Sequence, residues 1–290
     1  MNDPAPALSS NDVPNGVSKD VRDVKDAVEA IDVVDVVGDP AEDRRFSALG
    51  RLYGAAGLAR LRAAHVVVIG VGGVGSWCAE ALARSAVGHL TLIDMDHVAE
   101  SNINRQVHAL ASTLGAAKVE VMAARIADIA ADCRVDVVDD FIDPDNVAAI
   151  VPAADLVIDA IDQPRAKAAL VAWAGRQRRP VIVCGAAGGR TDPLRLRCDD
   201  LSRTRGDALL SSVRARLRRE YGFSRDPKQR FRVDAIFSDE QVQAAPEAGE
   251  AGRSGGAPLN CAGYGSAVGV TAAMGMAAAQ RAINRLASGR

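Results

Sequence analysis

The sequence has few cysteines, and they lie far apart. The five are Cys78, Cys133, Cys184, Cys198 and Cys261. Their odd number and the lack of any C-x-x-C pair argue against a disulfide scaffold and a structural zinc site, and they favour a reducing compartment, the cytoplasm. The N-terminus also lacks the apolar stretch of a secretory signal.

No long run of large apolar residues is present either. The uncharged segment 262–279 consists mainly of Ala, Gly, Ser and Val rather than Leu, Ile and Phe. Because this segment is at about the lower length limit for crossing a bilayer, we interpret it as a small-residue helix packed inside the protein, with no membrane span.

Charge is distributed unevenly along the 290 residues. Residues 1–43 hold eleven acids and three bases, a net charge of −8, which leaves +6 for the rest of a chain whose total is −2. The acidic, Pro- and Asn-containing extension 1–43 is predicted to be disordered. The 48% hydrophobic content of the whole chain supports a sizeable core and excludes a collagen-like or fully disordered protein. Arginine dominates the basic residues, since only five of 35 are lysines.

Short apolar runs rich in β-branched residues alternate with helix-length segments from residue 65 onward. The runs lie at 65–70, 89–94, 134–140, 155–161 and 181–186, and the helical segments between them lie at 74–86, 116–131 and 164–178. This alternation predicts an α/β fold, a Rossmann-like doubly wound, mostly parallel sheet with helices on both faces.

The composition of the sequence and its pattern of apolar runs change after Gly189. Two further apolar runs flank an Arg-rich helical segment, and a Gly-, Ala- and Pro-rich stretch at about 243–258 is typical of a flexible loop. We therefore expect a nucleotide-binding core over 44–190, extended by a smaller C-terminal β/α portion over 191–290 that faces the substrate.

A glycine-rich motif directly follows the first apolar run. Its glycines are Gly70, Gly72, Gly73 and Gly75, and Asp94 lies at the end of the next predicted strand. Glycines let the backbone approach a phosphate at a helix N-terminus, and a carboxylate nineteen residues later can accept hydrogen bonds from ribose hydroxyls. The motif indicates an adenine nucleotide, but alone it does not separate NAD from ATP or exclude a turn without ligand.

Polar and basic residues follow Asp94 beyond the strand end. They are Asp96, Asn102, Asn104 and Arg105, and Lys118 comes thirteen residues after Arg105 at a predicted helix start. Either cation alone is more typical of a solvated surface charge. Together, after the glycine loop, Arg105 and Lys118 favour a triphosphate whose charge must be offset during bond breaking at phosphorus.

Two carboxylates, Asp159 and Asp162, lie at the end of the fourth predicted strand. Mg²⁺ prefers a few carboxylates together with phosphate oxygens, so Asp162 is the candidate metal ligand and Asp159 a weaker one. The alternative is that Asp162 caps the helix that begins at Pro164.

These motifs together resemble the E1-like adenylating enzymes. The matching words are RLYG (51–54), GVGGVG (70–75), LIDMD (92–96), SNINRQ (101–106), GAAK (115–118) and DAIDQ (159–163). Within the family, the chain is most similar to the tRNA threonylcarbamoyladenosine dehydratase branch through TLGAAKVEVMAARI (113–126), VVDDFIDPDNV (137–147), GAAGGRTDP (185–193) and AIFSDE (235–240). The resemblance covers residues 46–286.

The resemblance implies a role for each matching residue. Gly72 and Gly75 line the phosphates, Asp94 holds the ribose, and Asp162 binds Mg²⁺ through ATP. Asn102, Arg105 and Lys118 bind the triphosphate and stabilise the transition state. Arg51 falls where dimers of the family offer an arginine to the partner's active site. The zinc knuckles of many members are absent, so no zinc is carried over. For Cys261 the alternatives are a small buried core cysteine, the commoner case, and a thioester-forming cysteine as in the ubiquitin-activating relatives.

The implied reaction is ATP-dependent adenylation. In the branch, the carboxylate of N6-threonylcarbamoyladenosine, next to the tRNA anticodon, attacks the α-phosphorus of ATP. The activated carboxylate then closes to an oxazolone with release of AMP, a ring closure for which proximity supplies much of the rate. The alternatives are an activator of the C-terminus of a small sulfur-carrier or ubiquitin-like protein, and a nucleotide-binding module or NAD oxidoreductase.

An arginine-rich segment gives the tRNA hypothesis independent support. Residues 203–232 hold ten bases and three acids. An apolar stripe of Leu210, Val213, Leu217 and Tyr221 leaves other helix faces for Arg214, Arg218 and Arg219, which we expect to face tRNA phosphates. A solvated helix face is the alternative. The family further suggests a homodimer and a cysteine desulfurase system as partners.

Overall fold

The structure of the protein is a computed structural model that describes residues 44–243 and 264–289. The extension 1–43, residues 244–258 of the predicted loop, and Cys261 lie outside the described residues. The helices are α1 (Ser47–Ala63), α2 (Gly75–Ala83), α3 (Lys118–Ile129), α4 (Val147–Ile150), α5 (Pro164–Arg176), α6 (Ala208–Glu220) and α7 (Val268–Ser288). The strands are β1 (His65–Ile69), β2 (His89–Ile93), β3 (Arg134–Val138), β4 (Leu156–Asp159), β5 (Val181–Cys184), β6 (Leu196–Asp200) and β7 (Asp234–Ser238).

One seven-stranded sheet organises these elements, in the order β3-β2-β1-β4-β5-β7-β6. All neighbouring strands are parallel except the β6–β7 pair, which is antiparallel. Each of the five apolar runs became one parallel strand, so the predicted fold class is confirmed.

Helices cover both faces of the sheet, as the continuous apolar strands require. In β1, Val66 and Val68 pack into the core beneath α1, α2, α3 and α7, whereas Val67 and Ile69 pack into the core beneath α4, α5 and α6. Alternation of side chains along one strand thus supplies two hydrophobic layers.

The small-residue helix predicted over 262–279 is α7, displaced toward the C-terminus. Val270, Met274 and Ala278 are buried, which confirms its internal packing. A Cβ on Gly275 would lie 2.3 Å from the Val74 carbonyl oxygen, so glycine permits the close approach of α7 to the start of α2. Within 44–243 and 264–289, no helix is both long enough and apolar enough to cross a membrane.

The strand order reverses between β1 and β4, which are hydrogen-bonded neighbours although two strands separate them in sequence. Ligands of open α/β sheets bind outside the carboxyl ends of strands at such a switch point. The glycine loop after β1 and the carboxylates after β4 therefore belong to one crevice.

Candidate active site

The glycine loop joins β1 to α2 in a turn that larger residues could not form. Gly70 has a φ of +84°, and a Cβ there would lie 3.0 Å from the carbonyl carbon and oxygen of Ala160. A Cβ on Gly75 would lie 1.7 Å from the Gly70 carbonyl oxygen. These two glycines are therefore required by the turn itself.

Gly72 and Gly73 differ from Gly70 and Gly75, because a Cβ on either would meet side chains rather than the backbone of the turn. A Cβ on Gly72 would meet only Gln106, at 3.9 Å, whereas one on Gly73 would meet Arg105 and Thr271, each at 3.3 Å. No side chain caps the N-terminus of α2, whose N-cap residue is Val74. The first N–H groups of that helix and the positive end of its dipole are thus placed to receive an anion.

Asp94 fixes the position of the glycine loop relative to β2. One carboxylate oxygen accepts a hydrogen bond from the Val71 N–H at 2.6 Å, and the other accepts one from the Asp96 N–H at 2.9 Å. Burial raises the pKa of Asp94, and the nearby Lys118 opposes that shift. A carboxylate held in this way keeps lone pairs for the hydroxyls of a sugar.

Lys118 begins α3 and is only 5% exposed. Its Nζ lies 2.6 Å from Asp96 Oδ2, and its backbone N–H donates to the Asp96 carbonyl at 2.9 Å. The segment after β2 and the start of α3 are thereby joined, and Lys118 lies beside the carboxylates that follow β2.

The segment after β2 carries the remaining predicted polar residues. Asn102 is buried and its Oδ1 accepts from the Ala99 N–H at 3.1 Å. Asn104 donates to the Ser266 carbonyl at 2.8 Å and accepts from Arg105 Nη1 at 3.0 Å. Arg105 packs its stem on Gly73 and is half-buried. Its guanidinium, oriented by Asn104, is therefore held beside the glycine loop.

Two further polar side chains of this segment are buried, and sequence analysis gave Gln106 only as part of the SNINRQ word and did not consider His108. Gln106 is buried with an unpartnered Oε1 beside Gly72, and His108 is 1% exposed with neither ring nitrogen hydrogen-bonded within the described residues. Burial, Lys118 and Arg125 lower the pKa of His108 to about 4, so the imidazole is neutral at pH 7.

Asp159 and Asp162 have different environments. Asp159 is fully buried and its Oδ1 lies 2.7 Å from Lys167 Nζ, an arrangement that disfavours it as an open metal ligand. Asp162 is half-buried at the mouth of the turn, and the N-cap of α5 is Gln163 rather than Asp162. The N-cap position is therefore not that of Asp162, and its role as a metal ligand stays a prediction.

The chemistry of the donor set fits Mg²⁺ bound through a nucleotide. Among the described residues no three His, Cys, Asp or Glu side chains cluster in a way that could enclose a metal ion. Mg²⁺ commonly takes one or two carboxylates and completes its octahedron with phosphate oxygens and water. A single carboxylate beside a phosphate-receiving loop matches that preference.

Arg51 lies near the start of α1, just before Gly54, whose φ of +72° interrupts the helix. The Arg51 side chain is exposed, and it makes no hydrogen bond or ion pair with the residues that the structure describes. Its side chain is therefore available to a second molecule.

The arginines of α6 are less free than the sequence indicated. Leu210, Val213 and Leu217 are buried, which confirms the apolar stripe. Arg214, however, donates to the Thr204 hydroxyl, and Arg218 donates to the Ser224 carbonyl at 3.3 Å. Neighbouring loops thus occupy part of each guanidinium, and the predicted contact of both arginines with tRNA phosphates stays a prediction.

Arg218 and Arg219 differ in their surroundings. The Arg218 guanidinium lies 5.5 Å from the Phe231 ring centroid. The side chain of Arg219 is 61% exposed and pairs with Glu220 at 2.6 Å. Of the three predicted tRNA-facing arginines, Arg219 is the one with most of its surface open.

A buried ion pair connects α6 to the loop after β5. Asp207 caps α6 by accepting from the Leu210 N–H at 2.9 Å, and its other oxygen accepts from the Ala186 N–H at 2.9 Å. Arg190 lies 3.2 Å from that second oxygen and also donates to the Ala186 and Gly206 carbonyls. The GAAGGR loop and the start of α6 are thus fastened together.

Comparison with known proteins identifies relatives over nearly the whole chain. A model of the ThiF family matches residues 45–287. The chain is 48% identical over 246 residues to the tRNA threonylcarbamoyladenosine dehydratase of Haemophilus influenzae, covering 84% of this chain and 94% of the relative. It is 44% identical over 250 residues to the Escherichia coli protein of the same name, covering 84% and 93%.

A solved structure shares the fold as well. The structure is similar to that of E. coli tRNA N6-threonylcarbamoyladenosine dehydratase in complex with ATP, with a TM-score of 0.78 and 43% identity over 88% of this chain and 98% of that one. The similarity therefore spans the sheet, its helical layers and the candidate site.

Proposed function

The chain belongs to the ThiF family, as its motifs predicted, and from this membership we propose that it is an ATP-dependent, tRNA-modifying, E1-like enzyme. It adenylates the carboxylate of N6-threonylcarbamoyladenosine in tRNA and cyclises it to an oxazolone, with release of pyrophosphate and AMP.

The observation that carries this function is the phosphate-receiving geometry at the switch point. An open Gly72, an N-terminus of α2 without a side-chain cap, and the cations of Arg105 and Lys118 border one crevice. A dinucleotide needs the loop and one acid, whereas two additional cations suit the charge of a triphosphate.

The positions of these groups support the following proposed roles. Asp94, with Asp96 fastened to it, receives the ribose, and the 70–75 loop receives the phosphates, with Gly70 and Gly73 shaping its path. Asn102 and Asn104 brace the segment from which Arg105 reaches the phosphates. Lys118 must exchange its bond with Asp96 for phosphate oxygens when ATP binds.

The reaction needs charge stabilisation and positioning rather than an enzyme nucleophile. The substrate carboxylate attacks the α-phosphorus, the bond to pyrophosphate breaks, and Arg105 and Lys118 offset the negative charge that develops. The carbamoyl oxygen of the same nucleoside then attacks the activated carbonyl carbon, and AMP leaves with the bonding electrons. Asp162 would hold Mg²⁺, which supplies further neutralisation of phosphate charge when bound.

The protein is further proposed to act as a cytoplasmic homodimer that binds tRNA. The exposed Arg51 suits donation to the active site of a second copy in a homodimer. The 191–290 portion, through Arg219 and the nearby Arg214 and Arg218, faces tRNA. The free, widely spaced cysteines support a cytoplasmic location, and a cysteine desulfurase system is the remaining proposed partner.

The decisive experiment supplies ATP and Mg²⁺ with either threonylcarbamoyladenosine-containing tRNA or a sulfur-carrier protein. We expect AMP formation only with the modified tRNA, together with a product nucleoside that is one water lighter by mass spectrometry. AMP formation only with the carrier protein would replace this function by carrier activation. Preferential binding of NAD over ATP in a calorimetric titration would contradict adenylation altogether.

Binding of tRNA is tested through its salt dependence. Arg219→Ala should weaken tRNA binding and lower the log–log slope against salt by about 0.7 for each phosphate of a single-stranded segment that the protein no longer neutralises. The matched control is Arg134→Ala, an exposed arginine at the opposite edge of the sheet, which should leave the slope unchanged. Equal slopes for Arg219→Ala and the unmutated protein would remove Arg219 from the tRNA site.

A further inference from the structure

A fully buried ion pair lies directly behind the candidate active site. Asp159, the last residue of β4, and Lys167, in the first turns of α5, are both 0% exposed. Lys167 Nζ donates to Asp159 Oδ1 at 2.7 Å and to the Asp159 carbonyl oxygen at 3.0 Å. One ammonium group thus holds both the side chain and the backbone of Asp159.

The same carboxylate holds the turn that follows it. Asp159 Oδ1 also accepts from the Ile161 N–H at 3.0 Å. Between them, the Ala160 N–H donates to the Ile69 carbonyl at 2.9 Å, and the Ala160 backbone packs against Gly70. The 159–162 turn therefore forms a wall of the glycine loop and ends at Asp162.

Stability alone does not account for such a pair. Taking two charges out of water is costly, and apolar residues of similar volume often fold equally well or better in place of a buried ion pair. Burial raises the pKa of Asp159, and its second oxygen, Oδ2, has no partner among the described residues. Unlike an apolar pair, this ion pair orients specific groups: it holds the Asp159 carbonyl, the Asp159 carboxylate and the Ile161 N–H in fixed positions.

We propose that Lys167 is a positioning residue for the nucleotide–metal site, because its bonds to Asp159 set the turn that presents Asp162 to metal-bound ATP. The proposal rests on the proposed function, since it needs Mg²⁺ and ATP to bind at this edge of the sheet. Lys167 does not touch the reacting atoms, and its effect is confined to how strongly the metal–nucleotide complex is held.

The double variant Asp159→Leu/Lys167→Met separates positioning from stability. It replaces the ion pair with apolar side chains of similar size, so the melting temperature should stay close to that of the unmutated protein. Calorimetric titration with ATP, with and without Mg²⁺, should show Mg²⁺-dependent affinity reduced by about tenfold or more, as loss of groups that orient a metal ligand typically does. Binding of ATP without Mg²⁺ should change much less.

Controls make each outcome informative. Arg125→Gln weakens a partly buried ion pair, with Glu80 between α2 and α3, and should lower the melting temperature without changing the Mg²⁺ dependence. A double variant that binds Mg²⁺ and ATP like the unmutated protein overturns the proposal. Failure of the unmutated protein to bind ATP in the presence of Mg²⁺ instead overturns the proposed function.

A second comparison changes Asp159 alone and is made on the fraction of each variant that is folded, because removing one partner of a buried pair is destabilising. Asp159→Asn keeps an oxygen that can accept from Lys167 and Ile161, whereas Asp159→Ala keeps none. We expect Mg²⁺-dependent ATP binding to weaken clearly only in Asp159→Ala. The same Mg²⁺ dependence in both variants would assign the pair a structural role only.

Discussion

The buried imidazole of His108 makes the stability of the protein depend on pH below neutrality. Its pKa is lowered from 6.5 to about 4, because burial and the charges of Lys118 and Arg125 disfavour the protonated ring. Between those two values the unfolded chain binds a proton that the folded protein does not. Stability is therefore fully present above pH 6.5 and falls as the pH is lowered.

The size of the effect follows from the two pKa values. Between pH 6.5 and about pH 4, each unit by which the pH falls lowers the free energy of unfolding by about 1.4 kcal/mol. Integration from pH 7 to pH 5 gives a loss of about 2 kcal/mol from His108 alone. With the ring 1% exposed, solvent screening reduces this little.

The test compares urea unfolding at pH 7 with urea unfolding at pH 5, and tryptophan fluorescence reports the fraction of protein that is unfolded. His108→Leu removes the titrating ring and its two unpaired nitrogens, so it should be no less stable at pH 7 and should lose about 2 kcal/mol less than the unmutated protein on going to pH 5. His97→Gln, at an exposed histidine, is the control and should retain the full loss. An undiminished acid loss in His108→Leu would refute the assignment of a neutral, buried imidazole.

Catalysis and loop shape give two further predictions. Arg105→Ala and Lys118→Ala should each lower the rate of AMP formation by about 10²-fold with the fold intact, while Arg134→Ala should match the unmutated rate; near-normal rates in both site variants would place the chemistry elsewhere. Gly75→Ala introduces a Cβ 1.7 Å from a loop carbonyl and should lower the melting temperature, whereas Gly72→Ala meets nothing nearer than 3.9 Å and should weaken ATP binding alone. Equal melting temperatures for the two glycine variants would contradict the geometry of the loop.

The strands and the crevice were predictable because their signals are local. A parallel strand buried on both faces needs continuous apolar residues, and β1 shows them in Val66 through Ile69. The glycine loop and Asp94 follow from chain direction, since carboxyl ends of parallel strands share one edge. The polar residues after β2 could be assigned to the crevice for the same reason.

The partners of buried charges were not predictable in the same way. The spacing of apolar residues shows which face of α6 is buried. It does not show that Arg214 donates to the Thr204 hydroxyl or that Arg218 donates to the Ser224 carbonyl. A signal for Lys167 did exist. In a chain where only five of 35 bases are lysines, a lysine is a departure from the general usage, and both Lys118 and Lys167 are buried.

The attachment of Asp207 to both α6 and the loop after β5 determines where flexibility must come from during tRNA modification. Because one buried carboxylate caps the arginine helix and also binds the Ala186 N–H, that helix cannot swing toward the glycine loop without breaking a buried ion pair with Arg190. The distance from Arg219 to the nucleotide crevice is therefore fixed by this attachment. Under the proposed contact of tRNA with Arg219, the modified nucleoside must reach the crevice through unstacking and splaying of the anticodon loop, as single-stranded RNA loops can.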